Sequence, residues 1–118
     1  MQTNTVLFGW NRALAGREGM AGELFAHAVN YFEKLKSGSS IESCEAVFLN
    51  RHGGDLNGFF LIKGSHAQLD TMMSSDEFVD ITMRADQYLL GVGVITGYTG
   101  NTVPDLMNRW TKTIPQQR

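Results

Sequence analysis

Cysteine is nearly absent: Cys44 is the only one in 118 residues, so neither an internal disulfide nor a multi-thiolate metal cage can form. Basic charge is not in excess either. Ten Lys and Arg stand against twelve Asp and Glu, a formal net charge of −2, with an isoelectric point near 5.8. That leaves no positive field to hold nucleic-acid phosphates or anionic lipid. No apolar run approaches the ~20 residues that span a bilayer. There are no repeats, low-complexity segments or linkers, and no N-terminal stretch has the pattern of a secretory signal. The three histidines, His27, His52 and His66, lie in separate segments without the spacing of a local metal motif. These absences predict one domain over residues 1–118 in the cytoplasm, with no nucleic-acid or membrane partner, no metal and no cofactor.

What is present is 42% hydrophobic and 19% charged residues, a balance that can bury one core. Thr5–Trp10 is rich in β-branched and aromatic types and predicts a first strand, followed by a turn-like stretch over Asn11–Gly16. From Arg17 the apolar period lengthens. Met20, Leu24, Ala28, Tyr31, Phe32 and Leu35 recur at helical spacing, and Ser37–Ser40 stops the helix. Ile41–Leu49 and Gly58–Ile62 predict two further strands around the turn cluster Arg51-His52-Gly53-Gly54-Asp55, a hairpin signal.

Helical spacing returns in Leu69, Met72 and Met73, then in Phe78, Ile81, Ala85 and Tyr88. Ser74-Ser75-Asp76-Glu77 between these halves has a hydroxyl with Glu three residues on, which predicts a break and a capping box. Leu90–Tyr98 predicts a fourth strand, with Leu90, Val92, Val94 and Tyr98 on one face and three glycines with Ile95 on the other. Gly91 and Gly93 lie inside that strand rather than between strand and helix, so a dinucleotide-binding reading fails its context. Thr102, Pro104 and Asp105 open a last helix with the stripe Val103, Leu106, Met107, Trp110 and Ile114.

The order β-α-β-β-α-β plus a C-terminal helix predicts an α+β, ferredoxin-like fold: a four-stranded antiparallel sheet in the order 4-1-3-2 with helices on one face. Strands one and three are apolar on both parities, Val6, Phe8 and Trp10 with Leu7, and Phe60 and Ile62 with Phe59 and Leu61. The second face therefore needs a cover, and a second copy of the same sheet supplies it, predicting a homodimer.

Three local features carry a resemblance: Ser75-Asp76-Glu77-Phe78 opening the second helix, the strand Gly91–Ile95 after it, and the hairpin His52–Phe60. With the element order over residues 3–100, they make the chain similar to the dimeric α+β barrel superfamily and to its uncharacterised bacterial members. Its members pair sheet to sheet and include antibiotic-biosynthesis-type monooxygenases and stress-responsive barrel proteins. The resemblance implies a fold and a dimer. Its implication for chemistry is broad, because the superfamily also hosts decyclising and dehalogenating enzymes, haem binders and proteins of no assigned activity.

His52 is the strongest candidate for chemistry, because Arg51, Asp55 and Asn57 lie within five residues of it. An imidazole oriented by the Asp55 carboxylate is a usable general base at neutral pH. The plainer alternative is that Asp55 and Asn57 only bond the turn backbone. Trp10 and Arg12 at the end of strand one could stack on and clamp a planar or anionic ligand, joined by Arg51 and Asn57; the alternative is a core Trp and a solvated Arg. Strand order places Trp10 and Tyr98 at opposite ends of the sheet. His27 and His66 read as structural, Cys44 as a small buried hydrophobe, and the helical methionines as packing. Two functions follow: a cofactor-independent, monooxygenase-like enzyme acting on a small organic molecule, or a non-enzymatic dimer that binds a small apolar or aromatic molecule or another partner. A nucleic-acid platform is disfavoured, since strand three carries only Lys63 beside its aromatics.

Overall fold

The computed structural model describes residues 1–116. Strands β1 (Thr5–Trp10), β3 (Ser43–Phe48), β4 (Gly58–Lys63) and β6 (Gly93–Gly97) form one antiparallel sheet in the order β3-β4-β1-β6. Its order is the one the sequence implies, and the architecture, α+β with four helices, is compatible with a ferredoxin-like fold. Helices α1 (Glu18–Ser37), α2 (His66–Ser74) and α3 (Asp76–Tyr88) pack on one face, and α4 (Thr102–Thr113) follows β6.

The register explains which residues form the core. Val6 faces Ile62 and Phe8 faces Phe60 across β1 and β4, and all four are buried against Leu24, Ala28 and Phe32 of α1 and Phe78, Ile81 and Ala85 of α3. Each such aliphatic or aromatic side chain contributes roughly 1.5–3 kcal/mol on burial. Phe8, Trp10, Phe25, Phe32, Phe60 and Phe78 meet edge-on, tilted or stacked at centroid distances of 5.0–6.4 Å, separations at which aromatic pairs add to area burial. Gly58, opposite Trp10, lets the indole lie flat across the neighbouring strand; a Cβ there would stand 2.8 Å from the ring.

Four local expectations differ. The expected fourth strand is two: β5 (Leu89–Leu90) leaves the main sheet and pairs with β2 (Arg12–Ala13), in what reads from sequence as a turn. Gly91 divides them, because its φ of +68° lies in the left-handed region that a strand interior excludes. The α2–α3 break is capped by Ser75, whose hydroxyl accepts from Phe78 N–H, rather than by Ser74 with Glu77. The reciprocal capping box sits one helix earlier, at Ser65 and Gln68. Among the methionines Met72 is buried and Met73 packs on the core, but Met20 and Met83 are exposed.

The last helix keeps its expected extent and stripe but has no buried residue. Val103, Met107, Trp110 and Ile114 are all exposed, Trp110 by 56%. Its root is nonetheless fixed. Asn4 donates to Thr99 O and accepts from Thr99 N–H and the Thr102 hydroxyl, while the Thr5 and Thr99 hydroxyls meet at 2.6 Å. The radius of gyration, 16.5 Å, exceeds the ~13.5 Å of a compact chain of this length, as a projecting arm requires.

Candidate functional site

Two cavities meet at one end of the sheet. The smaller but more enclosed of the two is a cleft of about 290 Å³ between the helix-side face of the sheet and α1 and α3. Its floor is Phe8, Trp10 and Phe60, its walls Leu24, Phe25 and Ala28 of α1 with Ile81 and Ala85 of α3, and Phe48 closes the β3 edge. Phe48 is 64% exposed although it lies 5.0 Å from the Phe25 ring and 5.9 Å from Trp10. The cleft is therefore open to solvent on the side where its aromatic lining is richest.

The α1 wall is low because of its sequence. Ala21 and Gly22 line the cleft, and a Cβ on Gly22 would meet nothing within 4 Å. Gly inside a helix costs about 1 kcal/mol relative to Ala, and nothing in the packing of α1 requires one here. The space it leaves belongs to the cleft.

Arg12 is the one ionisable side chain among the described lining residues of this cleft. It stands on β2, paired with Leu90, and the flanking bonds Asn11 N–H to Leu90 O (2.9 Å) and Leu14 N–H to Tyr88 O (2.8 Å) fix its backbone. Its side chain is exposed. Arg12 also lines the second cavity, a polar groove over the β3–β4 hairpin with Asn11, Arg51, His52, Asp55 and Asn57. The structure thus brings Arg12, Arg51, His52, Asp55 and Asn57 around one groove, and Trp10 and Arg12 around one cleft.

Inside the groove, His52 is engaged with the loop. Its Nδ1 accepts from Gly54 N–H at 3.3 Å and its Nε2 lies 3.0 Å from Leu56 O. A donor facing Nδ1 and a carbonyl facing Nε2 place the ring N–H on Nε2. Asp55 is exposed on the groove wall, and the hydrogen bonds of His52 run to backbone atoms rather than to this carboxylate. Asn57 spans the groove floor, donating to Asn11 Oδ1 at 2.8 Å and to Gly54 O at 3.0 Å, while its backbone N–H donates to Trp10 O. Asn57 is the strut that ties the hairpin to the end of β1.

Asn11 is the residue that sequence reasoning passed over. It sits between Trp10 and Arg12 and holds Asn57; its place in a turn-like stretch gave no reason to single it out. The remaining candidates lie elsewhere. Tyr98 follows Gly97, which pairs with Thr5 at the opposite end of β1 from Trp10. His27 is 3.8 Å from Glu77 and His66 3.3 Å from Asp70, both near solvent. Burial, reinforced by the Glu33 charge, pushes the Cys44 thiol up to about 12, the state of an unreactive side chain. No group of three or more potential metal ligands occurs among the described residues, nor any helix long and apolar enough to cross a membrane. Comparison with protein-family models, with curated proteins and with solved structures finds no match for this chain.

Proposed function

We propose that this chain is a small-molecule-binding protein, a homodimer of the dimeric α+β barrel kind, whose ligand occupies the aromatic cleft beneath α1. The observation that carries the reading is the cleft itself: about 290 Å³, close to the lower end of the ~300–1,000 Å³ of ligand sites, apolar throughout and with one polar group at its mouth. Binding is favoured over catalysis because the described lining holds no acid, base or nucleophile. The direct test is thermal unfolding with small neutral aromatic compounds. A ligand at a hundredfold its dissociation constant adds about 2.7 kcal/mol, and a set of such compounds with no shift at any concentration refutes the reading.

What supports the dimer is the other face of the sheet. Leu7, Phe59 and Leu61 are only half-buried there, and Ile95, beside Leu7, is 61% exposed. Together with the bare stripe of α4 this surface is an association liability unless a partner covers it. A second copy covers both by twofold symmetry, in an interface above ~1,000 Å². Light scattering at low micromolar concentration that finds twice the chain mass supports the dimer, and the chain mass of 13.1 kDa alone refutes it.

One observation favours a second, enzymatic reading. Because Arg12 lines both cavities, a ligand reaching out of the cleft would meet His52 and Asp55 in the hairpin groove. In that reading the chain is a cofactor-independent, monooxygenase-like enzyme in which His52 opens its two loop bonds and serves as base. Ligand-dependent oxygen uptake lost in His52→Ala would support it; binding without oxygen uptake assigns the protein to binding.

A further inference from the structure

The position and state of Arg12 specify the ligand further, on the reading that the cleft is a binding site. We propose that the cleft takes an amphipathic monocarboxylate, its aromatic or aliphatic body on Trp10 and Phe60 and its carboxylate held by the Arg12 guanidinium at the mouth. Three observations on the same side chain carry this. First, the cleft is apolar along its whole length and turns polar only at Arg12, so a ligand that matches it is apolar with one polar end.

Second, the guanidinium is uncommitted: both ion pairs of the described residues are made by histidines, and no hydrogen bond of the Arg12 side chain occurs among them. Arg17, five residues on, by contrast donates to Gln87 O. A guanidinium is planar, always charged and carries its donors in a fork that fits a carboxylate bidentately. Exposed at the mouth of an apolar cleft, that fork is free to meet the anionic end of a ligand whose body lies in the cleft. Third, the groove beyond Arg12 adds Arg51 against a single carboxylate, Asp55. The rim is therefore net positive on a chain whose formal charge is −2, and it disfavours cationic ligands.

A single fork at the mouth suits a monoanion of modest size. The cleft volume, about 290 Å³, equals roughly ten waters at ~30 Å³ each, room for a phenyl ring with a short alkyl chain. 4-Phenylbutyrate is such a probe, and 4-phenylbutanamide is its neutral counterpart of nearly the same shape.

Isothermal titration of the full chain with both compounds at pH 7.5, repeated with Arg12→Gln and Arg12→Lys, tests the proposal. The acid is expected to bind at least tenfold more tightly than the amide. Arg12→Gln should erase that difference, chiefly by weakening binding of the acid, and Arg12→Lys should keep part of it, since a point charge remains without the fork. Equal affinity for acid and amide in the unaltered protein overturns the carboxylate assignment and leaves the cleft reading standing. A preference for the acid that survives Arg12→Gln overturns Arg12 as the clamp. Binding of neither compound overturns both readings.

Discussion

Replacing Gly22 by Leu should make the protein more stable and a poorer binder at once. Gly22 is the fifth residue of α1, it lines the cleft, and a Cβ there meets nothing within 4 Å. Exchanging Gly for Leu inside a helix gains roughly 0.8 kcal/mol of propensity. Laying the new side chain over Phe25 and Leu89 removes part of its apolar area from water, about 1 kcal/mol more at ~25 cal/mol per Å². A gain of about 1–2 kcal/mol corresponds to a rise in Tm of roughly 4–8 °C for a chain of this size. The same side chain occupies space that a ligand needs, and affinity for 4-phenylbutyrate should fall at least tenfold, about 1.4 kcal/mol. Calorimetric unfolding and ligand titration of one preparation read both numbers. A fall in Tm would mean that the cleft is not open above Gly22, and a rise with unchanged affinity would mean that the ligand sits elsewhere.

Three further outcomes follow from the same structure. Cys44, with its thiol pushed up to about 12 chiefly by burial, should react with iodoacetamide at pH 8 many times more slowly in the folded protein than in urea; comparable rates would place the side chain in solvent. Burial raises the Tyr31 phenol above 10.0, partly opposed by its bond to Ser75, so its neutral form is the one the fold favours. That contribution is complete below pH 10.0 and lost as pH rises through the folded value, so urea unfolding between about pH 9 and 11.5 should show a steeper alkaline loss in the unaltered protein than in Tyr31→Phe. Trp110→Asp removes the largest side chain of the α4 stripe; with its exposed area worth roughly 3 kcal/mol if buried by a partner, it should weaken the proposed dimer at least tenfold by sedimentation while leaving the Tm of the isolated chain unchanged. Equal dimerisation would make α4 a dispensable arm.

Much of the frame could be read before any coordinates, because strands and helices here announce themselves by period. Val6, Phe8 and Trp10 alternate, Leu24, Ala28, Tyr31 and Phe32 recur by three and four, and the strand order follows from the connections. The errors arose where one residue's backbone outweighed the pattern around it. The run Leu90–Tyr98 has the composition of one strand, yet a positive φ at Gly91 splits it and sends Leu89–Leu90 to pair with β2. That small ladder is what fixes Arg12, so a missed turn became a missed anchor. The cleft was legible only in part. Trp10 and Arg12 stood out by type, but Phe25, Phe48 and Phe60 come from three different elements, and only packing brings them to one wall. His52, Arg51, Asp55 and Asn57 gather as their closeness in sequence suggests. The hydrogen bonds of His52 to Gly54 and Leu56 depend on loop conformation, which residue spacing does not encode.

The central claim, that the aromatic cleft under α1 holds the ligand, is tested most directly by intermolecular NOEs between bound 4-phenylbutyrate and the protein side chains. Contacts from the ligand ring to Trp10, Phe25 and the Ala28 methyl, with its carboxylate end nearest Arg12, are the predicted result. Contacts to Phe59, Leu61 and Ile95 on the opposite face of the sheet, or saturable binding with none to Trp10, would contradict it.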